Sequence, residues 1–271
     1  MIDTHCHLTF PDYRGSVDAV LTRAAAAGVR GCITISTTTL DCLDALAVAK
    51  AHDNVWCTAG VHPLYSDRAP HQWSNLRAVG SDPKCVAWGE LGLDSHYDKP
   101  PKPVQLAVLQ EQLAFLESLA ADGLSKPIVL HCREAFAELI PILKASRLDP
   151  ARMIFHCFTG TPADMKLLLD FGACVSFTGV LTYKNAPLVR EAAAMVPIDR
   201  LLVETDAPFL SPEPHRSVRP NEPKFVALVA ERLAEIKGLT LEALDHHLER
   251  NAERFFGIPA VPPPDPEAAR S

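Results

Sequence analysis

Residues 127–146, "PIVLHCREAFAELIPILKAS", run from a short apolar stretch rich in β-branched residues into a longer stretch whose apolar positions recur every three or four residues. The first part has the period of a strand and the second that of a helix, and the change falls at residues 131–134. The same change recurs along the chain. Apolar runs at 2–8, 31–36, 55–61, 85–91, 127–131, 152–157, 173–177 and 201–204 predict eight strands. Amphipathic stretches at 16–27, 40–52, 70–80, 103–122, 133–146, 162–171, 186–195 and 222–237 predict the helices that follow them, with a last one at 240–256. Strict alternation calls for parallel strands joined by crossover helices. Eight such units in about 250 residues have the size of a single (β/α)8 TIM barrel, an α/β fold. An open doubly wound sheet is the alternative that periodicity leaves standing.

Local signals agree with these boundaries. Ser16 and Thr240 can cap helix N-termini, and Gly28 and Gly172 are placed to follow C-termini. With 271 residues, 48% hydrophobic and 22% charged, the chain can bury a full core. No internal repeat or linker divides it, so residues 1–258 read as one domain. The tail 259–271 contains five prolines, cannot extend a helix, and is expected to be extended or mobile. A formal charge of −7 argues against a broad basic face for nucleic acid, although a bound metal can still attract phosphate. The N-terminus lacks a basic region followed by an apolar run, and no apolar stretch of membrane-spanning length occurs, so a soluble, cytoplasmic protein is expected. The eight cysteines are scattered and form no CxxC pair, so they are expected to be reduced, buried thiols and not a zinc knuckle.

Chemistry-bearing residues gather where predicted strands end. In "IDTHCHL", His5 and His7 are two apart on a strand, hence on one face and about 6.6 Å apart along it, while Cys6 faces the other way. Glu90 ends the fourth strand in "AWGELGLD", His131 the fifth, His156 the sixth in "MIFHCFTG", and Asp206 follows the eighth in "LLVETDAPFL". Each alone has an ordinary structural reading as a core histidine, a cap or a loop start. In a barrel, all six open onto the C-terminal face, where this architecture gathers its catalytic groups. Imidazole with carboxylate suits Zn²⁺, Mn²⁺, Fe²⁺, Co²⁺ or Ni²⁺ better than Ca²⁺, and Mg²⁺ prefers more oxygen. Six ligands exceed the needs of one open ion, so two divalent cations bridged by Glu90 are expected; such pairs activate water and neutralise phosphoryl charge.

These residues resemble the TatD family of metal-dependent deoxyribonucleases, within the amidohydrolase-like hydrolases. The likeness runs through "DTHCHL", "AGVHP", "WGELGLD", "LHCREA", "FHCFTG", "ETDAPFLSP" and "RPNEP", over residues 2–256. It implies a first metal on His5, His7, Glu90 and Asp206 and a second on Glu90, His131 and His156, the cations being Mg²⁺, Mn²⁺, Zn²⁺ or similar. It further implies that Glu90 and Asp206 are catalytic, with Asp206 as general base or water-orienting group for a metal-activated water that attacks a phosphodiester of DNA, or of RNA, from the 3′ end. His62 either hydrogen-bonds a substrate phosphate or packs beneath a proline turn. Arg133 either contacts phosphate or caps the next helix. Glu204 either holds a histidine ligand from behind or pairs with Arg219, and Asn221 with Glu222 look structural. Lys184, Arg216 and Arg219 are further candidate phosphate partners. Residues 95–97, "SHY", and Pro220 within "RPNEP" depart from the family pattern and bear on substrate choice.

Three functions compete. The first is a TatD-type deoxyribonuclease, an enzyme acting on ester bonds, with no membrane attachment and no obligate protein partner. The second keeps the metal centre but hydrolyses a small amide, lactone or phosphate ester. The third is a non-enzymatic binding protein with a vestigial site, which an intact ligand set disfavours.

Overall fold

Eight parallel strands, β1 (Ile2–Cys6), β2 (Gly31–Thr34), β3 (Val55–Ala59), β4 (Cys85–Asp94), β5 (Ile128–Arg133), β6 (Met153–Phe155), β7 (Cys174–Phe177) and β8 (Leu201–Val203), form one sheet in sequence order. The computed structural model describes residues 1–260. The expectation for the tail from residue 261 onward lies outside the described residues. The sheet closes beyond the last strand. Cys6 bridges Ala207 in parallel, Asp206 N–H donates to the His5 carbonyl at 2.9 Å, and His7 N–H donates to the Ala207 carbonyl at 2.7 Å. The fold is therefore the TIM barrel, and the open sheet is excluded.

The helices α1 (Val17–Ala26), α2 (Asp41–Ala51), α3 (Trp73–Gly80), α4 (Lys102–Ala121), α5 (Phe136–Ala145), α6 (Pro162–Phe171), α7 (Pro187–Met195), α8 (Val226–Lys237) and α9 (Leu241–Phe256) cover the barrel. None among the described residues is long and apolar enough to cross a membrane. Thr240 caps α9 through Ala243 N–H, and α6 has a full capping box between Thr161 and Asp164. Ser16 does not cap α1: its hydroxyl donates back to the Tyr13 carbonyl at 3.1 Å. The helix predicted to start at residue 222 begins later: Glu222 is extended and precedes a 3-10 turn, Pro223–Phe225, after which α8 begins.

Two apolar layers result. Ile2, Ile33, Trp56, Val86, Val129, Ile154 and Leu202 fill the barrel, and Phe256 and Ile258 pack onto them from the chain's far end. The alternate strand residues, including Cys57, Leu91, Leu130 and Phe155, join the larger core beneath the helices. All eight cysteines are free thiols.

The strand register shifts at three places, and two of them, in β1 and between β4 and β5, aim site residues. Ile2 faces into the barrel, so an unbroken period of two would send His5 outward. The β1 register shifts between Asp3 and Cys6, and this irregularity turns His5 and His7 inward while Cys6 joins the helix-side core. On β4, Trp88 and Leu91 both face the helix layer, which two intervening residues cannot achieve in a regular strand. The register shift between them turns Glu90 inward. Glycines make this possible. Gly92 has φ +149° and a Cβ there would lie 1.9 Å from the His131 carbonyl oxygen. Gly92→Ala is thus expected to destabilise the fold by about 2–4 kcal/mol through backbone collision and strain. A urea unfolding midpoint matching that of the parent chain would contradict this account of the β4–β5 approach.

Candidate metal centre

The six predicted residues meet at the C-terminal mouth of the barrel. Glu90, almost wholly buried, lies at the middle. Its Oε1 is 2.8 Å from His131 Nδ1, 2.5 Å from His156 Nε2 and 3.4 Å from His62 Nε2, and its Oε2 is 3.4 Å from His5 Nε2. Asp206 Oδ1 is 3.6 Å from His5 Nε2 and 3.4 Å from His7 Nε2. The His5 and His156 rings stack at 3.9 Å. Ligand-type atoms of His5, His7 and Asp206 lie within 4.8 Å of one another, as do those of His62, Glu90 and His131.

The imidazoles are oriented from behind. His7 Nδ1–H donates to the Ile35 carbonyl at 3.2 Å, which aims its Nε2 at Asp206. His156 Nδ1–H donates to Glu204 Oε1 at 3.2 Å, so its Nε2 faces Glu90. Glu204 also accepts from Cys157 N–H and from the Ser176 hydroxyl, the latter at 2.5 Å. It therefore holds a histidine, and Arg219 instead donates to Ser211 Oγ and to two carbonyls. His131 is turned the other way round. Its Nε2–H donates to Asp94 Oδ2 at 2.9 Å, which leaves Nδ1 toward Glu90.

His62 differs from the rest. Leu64 N–H donates to its Nδ1 at 2.9 Å, so a neutral His62 carries its proton on Nε2, the atom aimed at the centre. Burial pushes its pKa down to about 3 against the pull of Glu90, which keeps the ring neutral. His62 thus presents a hydrogen-bond donor to the site and has no lone pair there for a metal.

Two buried atoms facing the centre, His5 Nε2 and Glu90 Oε2, have no hydrogen-bond partner, and His5 Nδ1 lacks one as well. A buried imidazole and carboxylate left unsatisfied are costly, and a cation between them would satisfy both. The donor set fits a divalent metal. Charges within the cluster agree. Burial alone would raise Glu90, yet the charge of His156 and the hydrogen bond from His131 hold it well below the ordinary carboxylate range. Asp206 is likewise lowered, burial being overcome by His7 and His5. His156, His131 and His7 are raised despite burial, by Glu90 and Glu204, by Asp94 and Glu90, and by Asp206 respectively.

A cavity of about 790 Å³ opens above the centre, lined by His7, Glu90, His131, His156 and Asp206 and, among others, by His62 and Arg133. Arg133 does not cap α5; its guanidinium lies 5.1 Å over the Tyr97 ring. Lys184, Arg216 and Arg219 are not among the lining residues, and Arg216 stacks on Tyr183 at 4.0 Å. Cys6 and Cys132 join the helix-side core, although Cys132 also reaches the cavity wall. Cys157 does not join that core: β6 ends at Phe155, Cys157 turns at φ +48°, and it lines the cavity. Asn221 is wholly buried and structural. Its amide donates to the carbonyls of Thr205 at 3.0 Å and Phe209 at 2.5 Å, clamping the segment that carries Asp206.

Two residues escaped the sequence reading. Asp94 holds His131, and the fourth strand was expected to stop at residue 91, short of it. Asp3, wholly buried, accepts from His5 N–H and from the Thr205 amide and hydroxyl, tying β1 to the strand that leads into Asp206. Burial raises its carboxyl to about 8, beyond what the Thr205 hydrogen bonds offset. The "GLD" and "IDT" carboxylates beside site residues were the available signals.

Known proteins resemble this chain in sequence and fold. An uncharacterized metal-dependent hydrolase, YcfH, of Escherichia coli K12 is 38% identical over 264 residues, spanning 96% of this chain and 97% of its own. The 3′-5′ ssDNA/RNA exonuclease TatD of Erwinia amylovora is 35% identical over 264 residues, 95% of this chain and 100% of its own. Among solved structures, the TatD homologue YjjV of E. coli K12 superposes with a TM-score of 0.85 at 30% identity, covering 96% of this chain and 98% of that one. The family profile described as TatD related DNase matches residues 2–257. With the profile running from β1 to the end of α9, the chain belongs to the TatD-related deoxyribonuclease family.

Proposed function

We propose that the protein is a divalent-metal-dependent phosphodiesterase that trims single-stranded nucleic acid. The observation that carries this reading is the pair of unsatisfied buried atoms, His5 Nε2 and Glu90 Oε2, amid imidazoles whose ring nitrogens converge from two sides. His5, His7, Glu90 and Asp206 would hold one cation, and Glu90, His131 and His156 a second. Cations there supply an acidified water and neutralise charge on a phosphoryl oxygen. Asp206, held ionised with Oδ1 toward His5 and His7, can take a proton through Oδ2. His62 Nε2–H lies 3.1 Å from His131 Nδ1 and would turn to a non-bridging phosphate oxygen once a cation takes that nitrogen, and Arg133 supplies a cation at the rim. The names of the E. coli and Erwinia relatives, a metal-dependent hydrolase and a 3′-5′ ssDNA/RNA exonuclease, support both the metal and the substrate.

The test is incubation with a 5′-labelled single-stranded oligonucleotide in Mg²⁺, Mn²⁺ or Zn²⁺. Stepwise shortening that chelator abolishes is expected. Absence of cleavage in every metal, with turnover of a small phosphate ester or amide, would overturn the nuclease reading.

Metal uptake should also release protons. His7, His131 and His156 have raised values, so in the metal-free protein they retain protons at pH values where a free histidine has lost them. Their ion pairs with the carboxylates stabilise the metal-free fold fully below about pH 6.5 and fade as pH rises through the raised values. A cation needs those lone pairs, so its affinity should rise about tenfold per pH unit for each proton displaced. Calorimetric titration in buffers of different ionisation enthalpy checks this; a heat independent of buffer would contradict it.

A further inference from the structure

The cavity above the centre carries two aromatic platforms on opposite sides of the barrel. The exposed large apolar side chains among the described residues include two aromatic ones, Phe209 at 47% and Tyr97 at 50% exposure, and both line this cavity. Phe209 belongs to the segment after β8, next to β1, and Tyr97 to the segment after β4, next to β5; in an eight-stranded ring these lie half a turn apart.

Each platform is wired to one half of the centre. Phe209 N–H donates to the Asp206 carbonyl at 2.9 Å, and the ring meets Phe10 edge-on at 5.9 Å, Phe10 in turn stacking on His7 at 4.6 Å. Tyr97 N–H donates to Asp94 Oδ1 at 3.1 Å, and the same carboxylate holds His131 through Oδ2. Arg133 braces the Tyr97 ring and bonds its hydroxyl at 3.4 Å. A phosphodiester seated at the centre therefore has a ring on either side of it, each indexed to a site carboxylate. Cationic support is sparse. Arg133 is the lysine or arginine among the lining residues, and Glu134 and Asp164 add negative charge at the lip.

We infer that the site recognises a terminal dinucleotide unit, the two bases beside the scissile phosphate stacking on Phe209 and Tyr97, with little grip on the strand beyond. The inference rests on the phosphodiesterase reading and adds its footprint and specificity residues. Stacking tolerates any base because every base has a π-face, and duplex ends hide those faces, so unpaired termini are selected. Strand-tracking proteins instead rely on rows of Lys and Arg, which this cavity lacks.

The experiment uses metal-loaded protein and single-stranded substrates of two, three, five, ten and twenty nucleotides. Expected is a kcat/KM per end that levels off by three nucleotides, with a log–log dependence on KCl no steeper than about −1.4, the value for two phosphates. Phe209→Ala and Tyr97→Ala should each lower kcat/KM on the dinucleotide by about 5- to 150-fold. An abasic residue on the matching side should impose a similar loss on the parent enzyme, and variant and abasic losses should not add. Anisotropy of a labelled, non-cleavable methylphosphonate dinucleotide, read without metal, should weaken in both variants. A kcat/KM that climbs up to twenty nucleotides, a steep salt slope, or variants equal to the parent on the dinucleotide would overturn the footprint while leaving the nuclease reading intact. Failure to cleave any oligonucleotide, with turnover of a small ester, would remove both.

Discussion

Glu90→Gln is expected to lower kcat/KM by about a thousandfold and to strip the protein of bound metal. The side chain is the same size, so packing survives and only charge and one acceptor are lost. That charge is shared: His5, His62, His131 and His156 all lie within 3.4 Å of its two oxygens. Removing one partner of a buried charged set costs about 3–5 kcal/mol, hence about 10² to 10⁴ in any equilibrium that depends on it. An amide N–H placed among the lone pairs of His131 and His156 would further oppose a cation there. The checks are metal content by elemental analysis, kcat/KM on an oligonucleotide, and a circular dichroism spectrum to confirm the fold. A variant with full metal content and a rate within tenfold of the parent would remove Glu90 from the centre of the scheme.

Asp206→Asn should separate two duties of one residue. The amide retains an oxygen that can face His5 and His7, so at saturating metal the ions should largely stay. What disappears is an ionised carboxylate able to accept a proton, and general-base contributions are about 10² to 10⁴. We therefore expect kcat to fall about a thousandfold with KM changed less than tenfold and metal stoichiometry retained. Loss of metal in proportion to activity would make Asp206 a ligand alone.

The barrel was legible because eight β-then-α changes of period survive in the sequence without any need for tertiary information. The gathering of His5, His7, Glu90, His131, His156 and Asp206 was legible for the same reason, since strand ends in a barrel share one face. The orientation of Glu90 was not. It depends on a register shift between Trp88 and Leu91, and a shift in pairing leaves no mark in a period of two. Asp94 stayed hidden because the Gly-Leu-Asp stretch reads as a turn, whereas β4 runs through it against β5. The role of His62 turned on the main-chain N–H of Leu64, supplied by a 3-10 turn at Pro63–Tyr65 that the "HP" pair hints at without fixing the tautomer. Cys157 was misplaced because alternation was carried two residues beyond the end of its strand.

The barrel's seam sets a timetable for the site. His5 and His7 leave the ribosome first, whereas Asp206, which completes their cluster, and Asn221, which clamps its segment, emerge only after some two hundred further residues. A nascent chain halted before β8 has the first histidines but lacks the Asp206 and Ala207 main-chain groups that bridge β1. A fragment truncated at residue 200 should therefore neither retain a cation nor cut nucleic acid, so that partial copies lacking β8 are expected to be inactive.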